Sequence, residues 1–119
     1  MNEAAFHLHQ TTERLYACLL LVLTNYSPST HNVKFLRSLA EQLAPQLIEV
    51  WPREAKHDRR CFELLKRAYV EARYSEHYKI TVEELEWLGR RVQELQAMVE
   101  QICQERLTSL SAAASGKRE

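Results

Sequence analysis

Glycine and proline are scarce. The 119-residue chain holds two glycines and three prolines. Successive strands need tight turns built on those residues, so their scarcity argues against a sheet and for an all-α fold. A run of about 18 uncharged apolar residues, enough to span a membrane, is also missing. The longest apolar run, "LYACLLLVL" at residues 15–23, follows Glu13 and Arg14. No small-residue cleavage site comes after it, so it is not read as a signal peptide. The three cysteines, Cys18, Cys61 and Cys103, are odd in number and form no C-x-x-C. They are expected as reduced thiols in a cytoplasmic protein, not as a disulfide framework or a zinc site. There is no Gly-rich phosphate loop, no H-E-x-x-H and no G-x-S-x-G, so metalloprotease, P-loop and serine-hydrolase chemistry have no support. Neither a metal nor another cofactor is expected.

What the chain does have is an ordinary soluble composition, with 45% hydrophobic and 27% charged residues, in a length that fits one domain. Sixteen basic residues balance sixteen acidic ones, but unevenly along the chain. Residues 53–79 hold eight basic and five acidic side chains, and residues 81–107 hold three basic and six acidic ones. A basic segment of this kind can meet a phosphate; two solvated helix faces that pair with each other give the same pattern.

The hydrophobic periodicity predicts four main helices. The first covers residues 2 to about 24, with Ala5, Leu8, Thr12, Leu15 and Leu19 on one face. From Leu15 onward its opposite face is apolar too, as for a helix at the centre of a bundle. "NYSPST" breaks it. Thr30 is a plausible N-cap for a second helix whose stripe is Val33, Leu36, Leu39, Ala40 and Leu43. Pro45 and Pro52 bracket a short helical turn or an irregular connection. A third helix covers residues 57–74, lined by Cys61, Phe62, Leu65, Tyr69 and Ala72. The fourth begins at a capping box, Thr81 with Glu84 three residues later. Its stripe, Leu85, Leu88, Val92, Leu95, Val99 and Ile102, is a heptad-type seam that suits a bundle interior or a second subunit. The expected division is a bundle over residues 1–107 and a disordered tail over residues 108–119.

Two histidines near the start, His7 and His9, point to different sides of a helix and cannot chelate one ion as a helical pair. Each fits a partly buried hydrogen-bonding role, and His31 can help hold the second helix start or orient the connection before it. The stretch "ARYSEHY" is richer. If the third helix continues that far, Arg73 and His77 share a face four positions apart, with Tyr69 one turn before and Tyr74 and Tyr78 alongside. Arginine binds phosphate with a planar fork of donors, histidine moves a proton near neutral pH, and tyrosines stack bases. Metal-free RNA cleavage needs such a set. The alternative is that the tyrosines pack the helix end while Arg73 pairs with a glutamate.

"AAFHLHQTTERLYACLLLVLTNYSPSTHN", followed by "FELLKRAYVEARYSEHYKITVEELEWLGRRVQELQAMVEQIC", resembles a HEPN domain of the type paired with or fused to a minimal nucleotidyltransferase. The resemblance implies an up-and-down helical bundle that forms a homodimer and binds nucleotide or RNA. It implies, for many members, a metal-independent endoribonuclease toxin silenced by a nucleotidyltransferase antitoxin. It also implies a further amphipathic helix before "NEAAFHLHQ", so the expected bundle lacks a first family helix. The family's catalytic motif is an arginine and a histidine separated by four to six residues. Its nearest match here is Arg73 and His77, separated by three, with Tyr74 where a small polar or acidic residue is usual. Arg73 and His77 are therefore the expected catalytic pair, and Arg73, Tyr74, Tyr78 and His9 the expected nucleotide-binding residues. Three readings stand at this point: a nucleotide- or RNA-binding module acting with a nucleotidyltransferase in a toxin–antitoxin system, an endoribonuclease toxin, and a non-catalytic dimerisation bundle.

Overall fold

A computed structural model describes residues 1–116. The helices are α1 (Asn2–Thr24), α2 (Val33–Leu43), α3 (Lys56–Tyr74) and α4 (Val82–Gly116), with a 3₁₀ helix, Pro45–Val50, between α2 and α3. There is no strand among the described residues, so the fold is the all-α arrangement of four main helices that the sparse turns and the periodicity predict. No helix among them is long and apolar enough to cross a membrane.

The helix at the centre is α1, which packs on each of the other three. Its buried face is Ala5, His9, Thr12, Tyr16, Leu19 and Leu20. That face is rotated from the predicted stripe: Leu8 and Leu15 sit half-buried at its edge, and His9 and Tyr16 take the middle. Thr12 is buried because its hydroxyl donates to the Leu8 carbonyl at 2.8 Å, leaving no unmet donor. The helix ends where Asn25 adopts the left-handed region at φ 61°, which asparagine tolerates better than most residues.

In α2 the N-cap is Asn32, two residues later than expected; its side chain accepts from the Phe35 amide at 3.1 Å. Val33, Leu36 and Ala40 are buried as predicted, but Leu43 is exposed, and Arg37 and Glu41 are buried in its place. The Arg37 Nε–H donates to Glu41 at 3.0 Å, and its Nη2–H donates to the Trp51 carbonyl at 3.2 Å. Ala44, Leu47 and Val50 are buried at intervals of three, the period of a 3₁₀ helix. Trp51 follows and donates its indole N–H to the Tyr16 hydroxyl at 2.8 Å, linking this connection to α1.

The capping box of α4 forms as predicted. The Thr81 amide donates to Glu84 at 2.8 Å, and the Glu84 amide donates to the Thr81 hydroxyl at 3.1 Å. Glu84 also accepts from Arg60 of α3 at 3.0 Å. Leu88, Val92, Leu95 and Val99 are buried in the expected register. Beyond Cys103 the helix leaves the bundle, and residues 104–114 are exposed. Residues 108–116, expected to be disordered, are helical; residues 117–119 lie outside the described residues. The physical reason is local: Ala112, Ala113 and Ala114 favour a helix, and the only glycine there is Gly116, at its end.

Candidate functional site

The third helix stops at Tyr74, where Ser75 turns to extended backbone (φ −101°, ψ 127°) and donates its amide to the Glu71 carbonyl. Arg73 therefore stays in the last helical turn while His77 falls outside the helix. Tyr78 plunges into the core, only 3% exposed, and its hydroxyl donates to the Leu64 carbonyl at 2.7 Å. Burial pushes its pKa up to about 12. His77 is exposed beside Arg60, Arg67 and Lys79. The shared helical face for Arg73 and His77 is thus not formed, because the helix ends between them. Tyr78 is a core residue rather than a surface one.

Arg73 turns toward α1. Because α3 runs antiparallel to α1, the last turn of α3 meets the first turns of α1. The Arg73 guanidinium lies 4.5 Å from the Phe6 ring centre, 5.2 Å from Tyr69 and 5.0 Å from Tyr74. Its Nε–H and Nη2–H donate to the Tyr69 carbonyl, one turn back on its own helix, at 3.3 and 3.1 Å. Among the described residues no carboxylate pairs with Arg73. An exposed cation in an aromatic frame, held by a neutral acceptor, keeps its charge for an external anion.

The connection between α1 and α2 runs back along α1 and sets His31 against Tyr69, a member of the same aromatic cluster. Three contacts fix this histidine. His9 donates Nε2–H to the His31 carbonyl at 3.1 Å. The His31 Nδ1 bonds to the Glu13 carboxylate. The His31 ring stacks on Tyr69 with centres 4.1 Å apart and planes 15° apart. Among the described residues its Nε2 has no protein partner, and the side chain is 57% exposed. His9 itself is fully buried, and burial lowers its pKa, so the neutral ring is the resident form. With Nε2 donating, Nδ1 is left as a buried acceptor, and among the described residues it has no partner. The nearby Gln10 side-chain oxygen is equally unpartnered.

The structure therefore gathers Arg73, Tyr74 and His9 from the expected set and adds Phe6, Glu13, His31 and Tyr69. His77 and Tyr78 lie elsewhere. The signal for the missed members was the spacing of Phe6, His9 and Glu13, which puts all three on one helix face. Chemically, the cluster offers a flat aromatic surface, an uncompensated guanidinium and an oriented imidazole with one nitrogen open. The family model described as the HEPN domain matches residues 1–102. A search of curated proteins finds no match.

Proposed function

The chain belongs to the HEPN domain family, and on that premise we propose that it binds nucleotide or RNA at the Arg73 cluster. The observation that carries this reading is the Arg73 guanidinium, framed by Phe6, Tyr69 and Tyr74 and paired with no acid among the described residues. In this reading Arg73 takes a phosphate oxygen through the Nη1–H and Nη2–H donors not used on the Tyr69 carbonyl, and the exposed Tyr74 ring stacks a base. His9 acts from behind, holding the backbone of His31. The test is titration of a labelled oligoribonucleotide into wild type and Arg73→Gln. Loss of a charged hydrogen-bonding partner is worth about 1.5–3 kcal/mol, roughly 10- to 150-fold in affinity. Equal affinity of the two proteins, both folded, would sink the proposal.

A second reading is favoured by the three-point fixation of His31. Metal-independent RNA cleavage needs a base beside a phosphate-binding cation. We assign the base to His31, oriented by Glu13, and not to His77. The 2′-hydroxyl proton passes to His31 Nε2 and the 2′-oxygen bonds to phosphorus. The bond to the 5′-oxygen then breaks, that oxygen takes a proton from water, and the proton held on His31 neutralises the hydroxide left behind. Cleavage in the presence of a chelator, lost in His31→Ala and kept in His77→Ala, is the expected result; the reverse pattern returns the role to His77. In the same proposal the chain acts in the cytoplasm as a homodimer beside a nucleotidyltransferase, as one half of a toxin–antitoxin pair. Growth arrest on expression, relieved by co-expression of a nucleotidyltransferase from the adjacent coding sequence, tests that partnership.

A further inference from the structure

Helices α2 and α3 both pack on α1, yet they scarcely touch each other. Between them, closed at one end by the 3₁₀ helix and the residues after it, lies a groove of about 610 Å³. Its lining carries five cations, Lys34, Arg37, Arg53, Arg59 and Lys66, against two carboxylates, Glu41 and Glu63. Glu41 is consumed by two arginines, Arg37 and Arg53. Glu63 pairs on its own helix with Lys66 at 3.4 Å. Arg59 is held differently: its Nη1 donates to the carbonyls of Arg53 at 2.7 Å and Glu54 at 2.8 Å. These neutral acceptors fix its direction without cancelling its charge. Lys34 has no acidic partner among the described residues. The groove is thus positive, and its charges are partly preorganised. It also has apolar walls, with Phe62 at its base and Ile48 and Pro52 on one side.

The groove is not isolated. On α3, Lys66 lies one turn before Tyr69, and on α2, Lys34 follows His31 by three residues. The Lys34 and Lys66 end of the groove therefore points along both helices toward the Arg73 cluster, although no residue of the cluster lines the groove itself. From Arg73 back to Arg59 the path follows fourteen residues of α3, about 21 Å at the helical rise. A single nucleotide needs only the cluster. A positive, apolar-walled trench running on from it suits a linear polyanion that also carries flat rings. Single-stranded nucleic acid is of that kind, combining backbone charge with bases that stack. A duplex carries its phosphates on a convex surface and cannot enter a cleft between two neighbouring helices.

We propose that the groove between α2 and α3 is the track for a single RNA strand whose end or reacting phosphate sits at Arg73. This rests on the Arg73 cluster being a nucleotide site, so the experiment separates the two. Affinities for AMP and for an oligoadenylate about ten nucleotides long are measured against salt concentration for wild type, Arg73→Gln, the double variant Lys34→Gln/Lys66→Gln, and Ser38→Glu. Ser38 is exposed in the groove, so Ser38→Glu inserts a negative charge without removing an internal bond. For single strands, each phosphate contact adds about 0.7 to the slope of log affinity against log salt. The double variant should therefore lower the slope by about 1.4. At about 0.1 M salt it should weaken the oligonucleotide about 25-fold, roughly fivefold per lysine, and leave AMP unaffected. Ser38→Glu should act in the same direction. If both groove variants bind the oligonucleotide as wild type does while Arg73→Gln loses it, the track is wrong and the Arg73 site stands. If Arg73→Gln binds both probes normally, the underlying site reading fails. Equal affinity for a duplex, or displacement of the strand by polyglutamate at matched charge concentration, also overturns the proposal and assigns the groove to a different polyanion.

Discussion

Replacing Glu41 by alanine tests whether the buried ion pair of α2 is a true structural charge pair. Arg37 and Glu41 have side chains only 10% and 9% exposed. Arg37 is held on three sides: by Glu41, by the Trp51 carbonyl, and by the Phe62 ring 4.3 Å below its guanidinium. Glu41→Ala removes the anion and leaves the guanidinium desolvated, with one carbonyl and a ring for company. Breaking a buried pair from one side costs about 3–5 kcal/mol. For a chain of this length that corresponds to a fall in Tm of roughly 10–20 °C. Arg53 also bonds Glu41 but is half-exposed, so Arg53→Ala should cost no more than about 1 kcal/mol. The double variant Arg37→Met/Glu41→Leu should recover most of the loss, because neither charge is then stranded. Urea unfolding followed by tryptophan fluorescence, with Trp51 packed against this pair, gives all three values. The reasoning fails if Glu41→Ala stays within about 1 kcal/mol of wild type, or if it matches Arg53→Ala.

Tyr16→Phe deletes the acceptor of the Trp51 indole N–H and should destabilise the fold by about 1–3 kcal/mol in the same urea assay. Glu84 should make stability acid-sensitive. Burial pulls its pKa up, but the Thr81 amide and hydroxyl and the Arg60 guanidinium outweigh it and hold the carboxyl below its ordinary 4.5. The stabilisation is therefore present above about pH 4.5 and lost as pH falls through the lower folded value; Glu84→Gln should flatten that part of the stability profile. His9 acts at higher pH. Its folded pKa is lowered from 6.5, chiefly by burial, so the unfolded chain binds its proton first and stability should fall as pH drops below about 6.5. That decline should be absent in His9→Asn, measured by thermal melts across the range.

The helices were legible in the sequence because their signals are local. The 4-3-4-3 spacing on α4 and the capping box at Thr81 need no partner to be recognised, and both are present in the structure. The polar interior was not legible. Arg37 and Glu41 look like an exposed i,i+4 pair until Trp51 and Phe62, from elsewhere in the chain, cover them. The candidate site was half legible for the same reason. Arg73 could be picked out from its aromatic neighbours, but its pairing with His77 assumed a helix that in fact ends at Tyr74. Nothing in the local pattern shows that Tyr78 leaves the surface to reach the Leu64 carbonyl. His31 is forty-two positions from Arg73, and only the return of the chain along α1 puts both against the Tyr69 ring.

That the Arg73 guanidinium is anchored to the carbonyl of its own helix, with Phe6 of α1 across from it, has a consequence for how the chain can vary. The segment from Ser75 to Thr81 carries none of these anchors. Its fixed points are Tyr78, whose hydroxyl reaches Leu64 and whose carbonyl accepts from Asn2, Ile80 in the core, and Thr81 at the head of α4. Residues inserted between Ser75 and Tyr78 would open the hydrogen-bonded turn there into a longer surface arc, with little entropic cost for each further residue, and leave Arg73 in place. Such an insertion would change the number of residues separating this arginine from the next histidine without moving the arginine.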